Sequence, residues 1–162
     1  MKRIANLLFA IAALCACAAC NVQGPKPYES KVDPLALQAM QTQEFETTKA
    51  ILFAATVSVF QDMGFTIEAG ELNSGIITAK SPTTTELSLG YYRSVTIRAS
   101  AFVEGTRPKY AKVRLNFVES RSKDAGFGAG SSNDIPFEDP AYYERVFTKI
   151  REGVFLREAN ES

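Results

Sequence analysis

VTIRASAFVEGTRPKYAKVRLNFV, residues 95–118, is the stretch whose reading decides the fold. Val95, Ile97, Ala99, Ala101 and Val103 recur at every second position, and EGTRP (104–108) then turns the chain. Ala111, Val113, Leu115 and Phe117 repeat the pattern on the way back. A period of two puts all nine side chains on one face of two paired strands, because successive side chains of a strand point to opposite faces. The reading is a long antiparallel hairpin with a buried face and a wet one. The wet face carries Arg98, Lys112 and Arg114.

Upstream, FTIEA (65–69), the turn-rich GELNSG (70–75) and IITAK (76–80) read as a second, shorter hairpin. Residues 81–90 (SPTTTELSLG) read as a polar link. Before them lies a helix from Thr47 or Thr48 to about Met63. Either threonine can cap it by accepting from a free backbone N–H. Leu52, Ala55, Val59 and Met63 form one stripe at helical spacing, and Phe53, Val57 and Phe60 form a second. Thr56, Gln61 and Asp62 are left for the wet side. Gly64 is placed for a left-handed residue after the helix, with Phe60 and Phe65 at the two positions that pack in a Schellman ending.

Downstream, GFGAGSSND (126–134) reads as a glycine-rich loop, and Asp139-Pro140 opens a second helix with Asp as cap and Pro at its first position. Tyr143, Val146, Phe147, Ile150 and Val154 make its apolar face, before a frayed tail, REANES. The expected fold is α+β: a four-stranded antiparallel sheet of two hairpins, with an N-terminal and a C-terminal helix packed on one face. The domain is expected over 45–157, with a polar tail at 158–162.

Residues 1–19 read as a secretory signal peptide: Lys2 and Arg3, an apolar run too short to span a bilayer, then small residues. The segment ends in cysteine and resembles a bacterial lipoprotein signal, in which cleavage falls just before the Cys that carries the lipid. Leu14 precedes Cys17 at the favoured spacing, whereas Ala18-Ala19 gives Cys20 the better small pair. Cleavage before Cys17 leaves Cys20 as a spare thiol, so Cys20 is the expected lipidated residue and Cys17 the alternative. With Cys15, Cys17 and Cys20 all in this segment, the domain has no cysteine for a disulfide or a thiolate metal site. Residues 20–44, broken by Pro25, Pro27 and Pro34, read as a flexible tether. Within it LALQAM (35–40) reads either as a short helix or as solvated linker.

Without Lys2 and Arg3, 16 basic residues face 18 acidic ones, a net charge of −2 that is no footprint for nucleic acid. The chain has no histidine, which removes the commonest general base and the usual zinc ligands. GFGAG lacks both the helix start and the Lys-Ser/Thr of a phosphate loop. Glu68, Glu71, Glu138 and Asp139 are dispersed near turns and a helix start, where solvated caps account for them. Eight Lys or Arg between Arg93 and Lys123 face only Glu104 and Glu119 within that stretch. This gives a candidate binding surface of Arg98, Lys112, Arg114 and Tyr110, with Tyr91 and Tyr92 as further interface anchors. It suits an envelope protein or anionic lipid head groups. No cofactor and no metal are expected.

FETTKAILFAATVSVFQDMGFTIE, LNSGIITAKS and DPAYYERVFTKIREGVFL resemble a family of small proteobacterial lipoproteins over about residues 44–157. The element order is similar to the helix-grip domains of BamC, the outer-membrane assembly lipoprotein, and to the sheet and two helices of LptE, the lipopolysaccharide-assembly lipoprotein. Asn21 follows Cys20 in place of the aspartate that commonly signals inner-membrane retention, so an outer-membrane lipoprotein facing the periplasm is expected. The missing histidine, dispersed acids, cysteine-free domain and tether point to a non-enzymatic binding or scaffold module in envelope assembly or maintenance. The alternatives are a small hydrolase using carboxylates or Tyr, and a binder of an apolar ligand in a helix-grip groove.

Overall fold

The computed structural model describes residues 28, 30–88, 91–124 and 131–161. Cys17, Cys20 and the GFGAG run lie outside them. In chain order the elements are α1 (Pro34–Met40), β1 (Thr42–Phe45), α2 (Lys49–Asp62), β2 (Thr66–Glu71), β3 (Ile76–Lys80), β4 (Thr84–Ser88), β5 (Tyr91–Arg107), β6 (Tyr110–Asp124), β7 (Ser131–Pro136) and α3 (Pro140–Glu161).

The α+β class holds, but the sheet has seven strands where four were expected. Its spine is the β5–β6 hairpin, paired from Tyr92↔Asp124 to Arg107↔Tyr110. Two strands line each side of this spine end to end. Along β5 lie β3, which is continued by edge strand β2, and then β4; along β6 lie β1 and then β7. The three unforeseen strands are short and polar. TTELS and SSNDIP bury no apolar stripe, so no hydrophobic alternation marks them; they form because the long hairpin offers free backbone donors and acceptors at both edges. The hairpin itself turns later than expected: β5 runs through EGTR with an irregularity at Gly105/Arg107, and Lys109 takes a φ of 61° in the turn.

α2 and α3 pack on one face of the half of the sheet nearest this turn. Ala99, Ala101, Val103, Ala111, Val113, Leu115 and Phe117 are buried there, as the alternation requires. From α3 come Tyr143, Val146, Phe147, Ile150 and Val154, all buried in the same cluster. Fully buried Phe117 gathers the rings of Phe60, Phe65, Phe137, Tyr142 and Tyr143, with centroids 5.0 to 6.2 Å away.

The ending of α2 follows its sequence. Phe65 N–H donates to Phe60 O and Gly64 N–H to Gln61 O, both at 2.9 Å, with Gly64 at φ +84° and the two Phe rings 5.9 Å apart. Thr48, not Thr47, caps its start by accepting from Ile51 N–H at 3.3 Å. Thr56 is a correction: it is fully buried, because its hydroxyl donates to Leu52 O at 2.8 Å and leaves only a methyl-like surface toward the core.

Residues 33–44, expected within the tether, belong to the fold. Asp33 caps α1 by accepting from Leu35 and Ala36 N–H, and β1 joins the sheet. Buried Gln41 fastens this junction: its carbonyl accepts from Leu115 N–H at 2.8 Å, and its amide donates to the Tyr143 hydroxyl at 3.3 Å. The expected polar tail is also helical, since α3 continues through Glu161; there Arg157 donates to Ser58 Oγ at 2.6 Å and ties α3 to α2.

Candidate binding face of the sheet

The face of the sheet opposite α2 and α3 carries the even-numbered residues of β5 and β6. Arg98, Lys112 and Arg114 all lie on it, as expected, while Tyr110 is half-buried at the turn end with the Arg107 guanidinium 4.2 Å from its ring centroid. The eight basic residues do not form one basic face, however. Arg93, Arg121 and Lys123 have the opposite parity and point to the helix side, and Arg107 and Lys109 belong to the turn.

The topology also brings acids that are distant in sequence. Asp134 of β7 pairs with Arg98 at 2.5 Å and accepts from Ser120 Oγ at 2.7 Å. Lys112 Nζ sits 2.6 Å from Glu104, and Glu44 of β1 pairs with Arg107 at 3.3 Å and accepts from Thr106 Oγ1. The Ser120 hydroxyl, followed by Arg98, holds the Asp134 carboxyl below the usual carboxylate range. The self-repelling patch expected from residues 93–123 alone is therefore largely neutralised. Of the three named cations, only Arg114 has no ion partner among the described residues.

Arg114 stands opposite Phe102 on β5 and opposite Thr42 on β1. Phe102 in turn pairs with Ile76 on β3. Both apolar side chains are exposed, 44% for Phe102 and 48% for Ile76. With Leu37 of α1, Asn116 and Pro136 they border an open hollow of about 570 Å³. The sequence signal for these residues was present: Phe102 interrupts the polar phase of β5, and Ile76-Ile77 is a doublet that cannot place both side chains inward. Asp134 and Glu44 gave no such signal, because only the seven-strand topology puts them beside the hairpin.

The acids do not converge. Glu68 and Glu71 lie exposed on edge strand β2, with β3, β5 and β6 between it and β7, which leads into the connection that holds Glu138 and Asp139. Asp139 caps α3, accepting from Ala141 N–H at 3.0 Å. Glu138 accepts from Lys31 N–H at 3.4 Å, and its carboxyl is held below its ordinary range by Ser30 first and then by Tyr28. No described helix is long and apolar enough to cross a membrane. No protein-family model matches the chain, and no curated protein matches it.

Proposed function

We propose that the protein is a non-enzymatic binding module of the bacterial cell envelope, lipidated at Cys20 and held on the periplasmic face of the outer membrane. Its working surface is the open face of the sheet, which docks a partner protein. One observation carries this reading: among the described residues, the cross-strand row Ile76–Phe102–Arg114 sets two exposed apolar side chains beside a guanidinium without an ion partner, on the sheet face opposite α2 and α3. An aromatic ring beside an arginine is the composition of interface hot spots, and such a patch on a rigid sheet presents both without an ordering cost. The scattered acids favour binding over hydrolysis. Side chains of α3 fill the space against the sheet, which disfavours an apolar ligand there.

Two experiments test the proposal. Mass spectrometry of the mature N-terminus should find an acylated Cys20; an unmodified or uncleaved N-terminus would refute the anchor. Photocrosslinking from position 102 in intact cells should give a discrete adduct that Arg114→Glu abolishes. An adduct pattern indifferent to Arg114→Glu would remove the open face as the docking surface.

A further inference from the structure

Beyond the helices the sheet continues as four strands in the order β4–β5–β6–β7, and no described helix covers its helix-side face there. Arg93 of β5 and Lys123 of β6 are direct cross-strand partners on this face, with Arg121 one position further along the same side. Like charges directly opposite each other destabilise a sheet. Local acids relieve the arrangement only in part. Glu119 pairs with Arg121, while Glu86 stands opposite Arg93 without closing an ion pair. Lys123 Nζ rests 5.7 Å over the Tyr91 ring, which holds the ammonium in place without neutralising it.

These three cations, with Ser131 and Asn133 of β7, border a concavity of about 280 Å³. Hydroxyl and amide side chains beside two guanidinium forks and an ammonium supply many donors, and neither Glu86 nor Glu119 is among the residues that border the hollow. That chemistry matches the oxyanion of a phosphate group.

We propose that Arg93, Arg121 and Lys123 form a binding site for phosphate groups, occupied by the head groups of the membrane on which the chain is anchored. The choice of head groups rests on the anchoring proposed above; the phosphate chemistry does not. The path of the chain supports it. Tyr28 and Lys31 contact Glu138, only three residues beyond Ile135 at the rim of the concavity. Cys20 lies eight residues before Tyr28, a reach of at most about 28 Å. A lipidated Cys20 therefore keeps this edge of the domain close to the bilayer surface.

The test uses the full chain in nonionic detergent micelles, with thermal unfolding followed in sodium phosphate and in sodium chloride of equal ionic strength. Phosphate should raise the midpoint of the wild type and of Arg114→Gln, because a ligand that binds only the folded state stabilises it. In Arg93→Gln/Lys123→Gln the apparent affinity should fall by about tenfold or more. In chloride the double variant should melt at or above the wild type, since it loses a like-charge pair; this also shows that it folds. Phosphatidylglycerol doped into the micelles should reproduce the phosphate effect and its loss in the variant. A phosphate response without a phosphatidylglycerol response would make free phosphate the ligand and discard the membrane source. No response to either, or an equal response in the double variant, overturns the site, whatever mass spectrometry shows at Cys20.

Discussion

Replacing Phe117 with alanine should come close to unfolding the protein, whereas the same change at Phe102, on the same hairpin, should scarcely be felt. Phe117 is 0% exposed and touches rings from every layer: Phe60 of α2, Phe65 after it, Phe137 after β7, and Tyr142 and Tyr143 of α3. Truncating a buried Phe to Ala costs about 3–5 kcal/mol, the transfer of the ring plus the cavity it leaves. Aromatic pairs add about 0.5–1.5 kcal/mol each when measured singly, but five around one ring are not independent. They place the expected loss near the top of the range, about 5 kcal/mol. A domain's entire stability is about 5–15 kcal/mol, so the variant is marginal. Phe102 is 44% exposed on the opposite face, and Phe102→Ala should cost less than about 1 kcal/mol. Urea unfolding followed by far-ultraviolet circular dichroism measures both. A loss below about 2 kcal/mol for Phe117→Ala, or equal losses for the two variants, would refute the assignment of the two faces.

At Gly75, a Cβ would fall 1.9 Å from Val103 O, and φ is +77°, so Gly75→Ala must open the β2–β3 turn and break the 2.8 Å bond from Val103 N–H; a loss of about 2 kcal/mol or more in urea is expected. Burial raises the Tyr143 hydroxyl pKa, so its contribution to stability is complete below about pH 10 and is lost as pH rises through the folded value. Tyr143→Phe should flatten that alkaline limb in pH-dependent melting while lowering stability at neutral pH, because the hydroxyl's bond to Phe137 O is gone. Asp134 has the opposite sign: its carboxyl is held low, so its contribution is present above the ordinary carboxylate pKa and disappears as pH falls through the folded value. With both partners about half exposed, Asp134→Asn should cost no more than about 1 kcal/mol at pH 7 and weaken the acid-side slope, which an unchanged slope would contradict.

The parts of the fold legible in the sequence are those where burial imposes a period. The alternation of 95–117 located the hairpin, the stripes of Leu52 and Val59 located α2, and Gly64 with its two Phe neighbours marked where that helix stops. The strands without a buried face, TTELS and SSNDIP, read as link and loop because their pairing rests on backbone groups and small polar contacts, which carry no periodic side-chain signature. LALQAM leaves helix and linker open and β1 reads as tether because Pro34 looks like a breaker, yet at the first position of a helix capped by Asp33 it is an initiator. For the candidate face, the parity of Arg98, Lys112 and Arg114 was legible. The neutralisation of Arg98 was not, since Asp134 reaches it only through strand order.

The two long strands of the hairpin run without interruption from the helix-covered half into the uncovered one. A polar sheet of Ser, Thr, Asn and charged residues buries too little to choose its own alignment, and alone it would slide among several pairings. Here a slip of one residue in the distal half would have to travel along β5 and β6 and turn Val113, Leu115 and Phe117 outward. The distal strands thus inherit their alignment from a core they do not touch. Side chains in that half are relieved of any duty to specify the fold, which leaves their identities open to be set by whatever the surface meets.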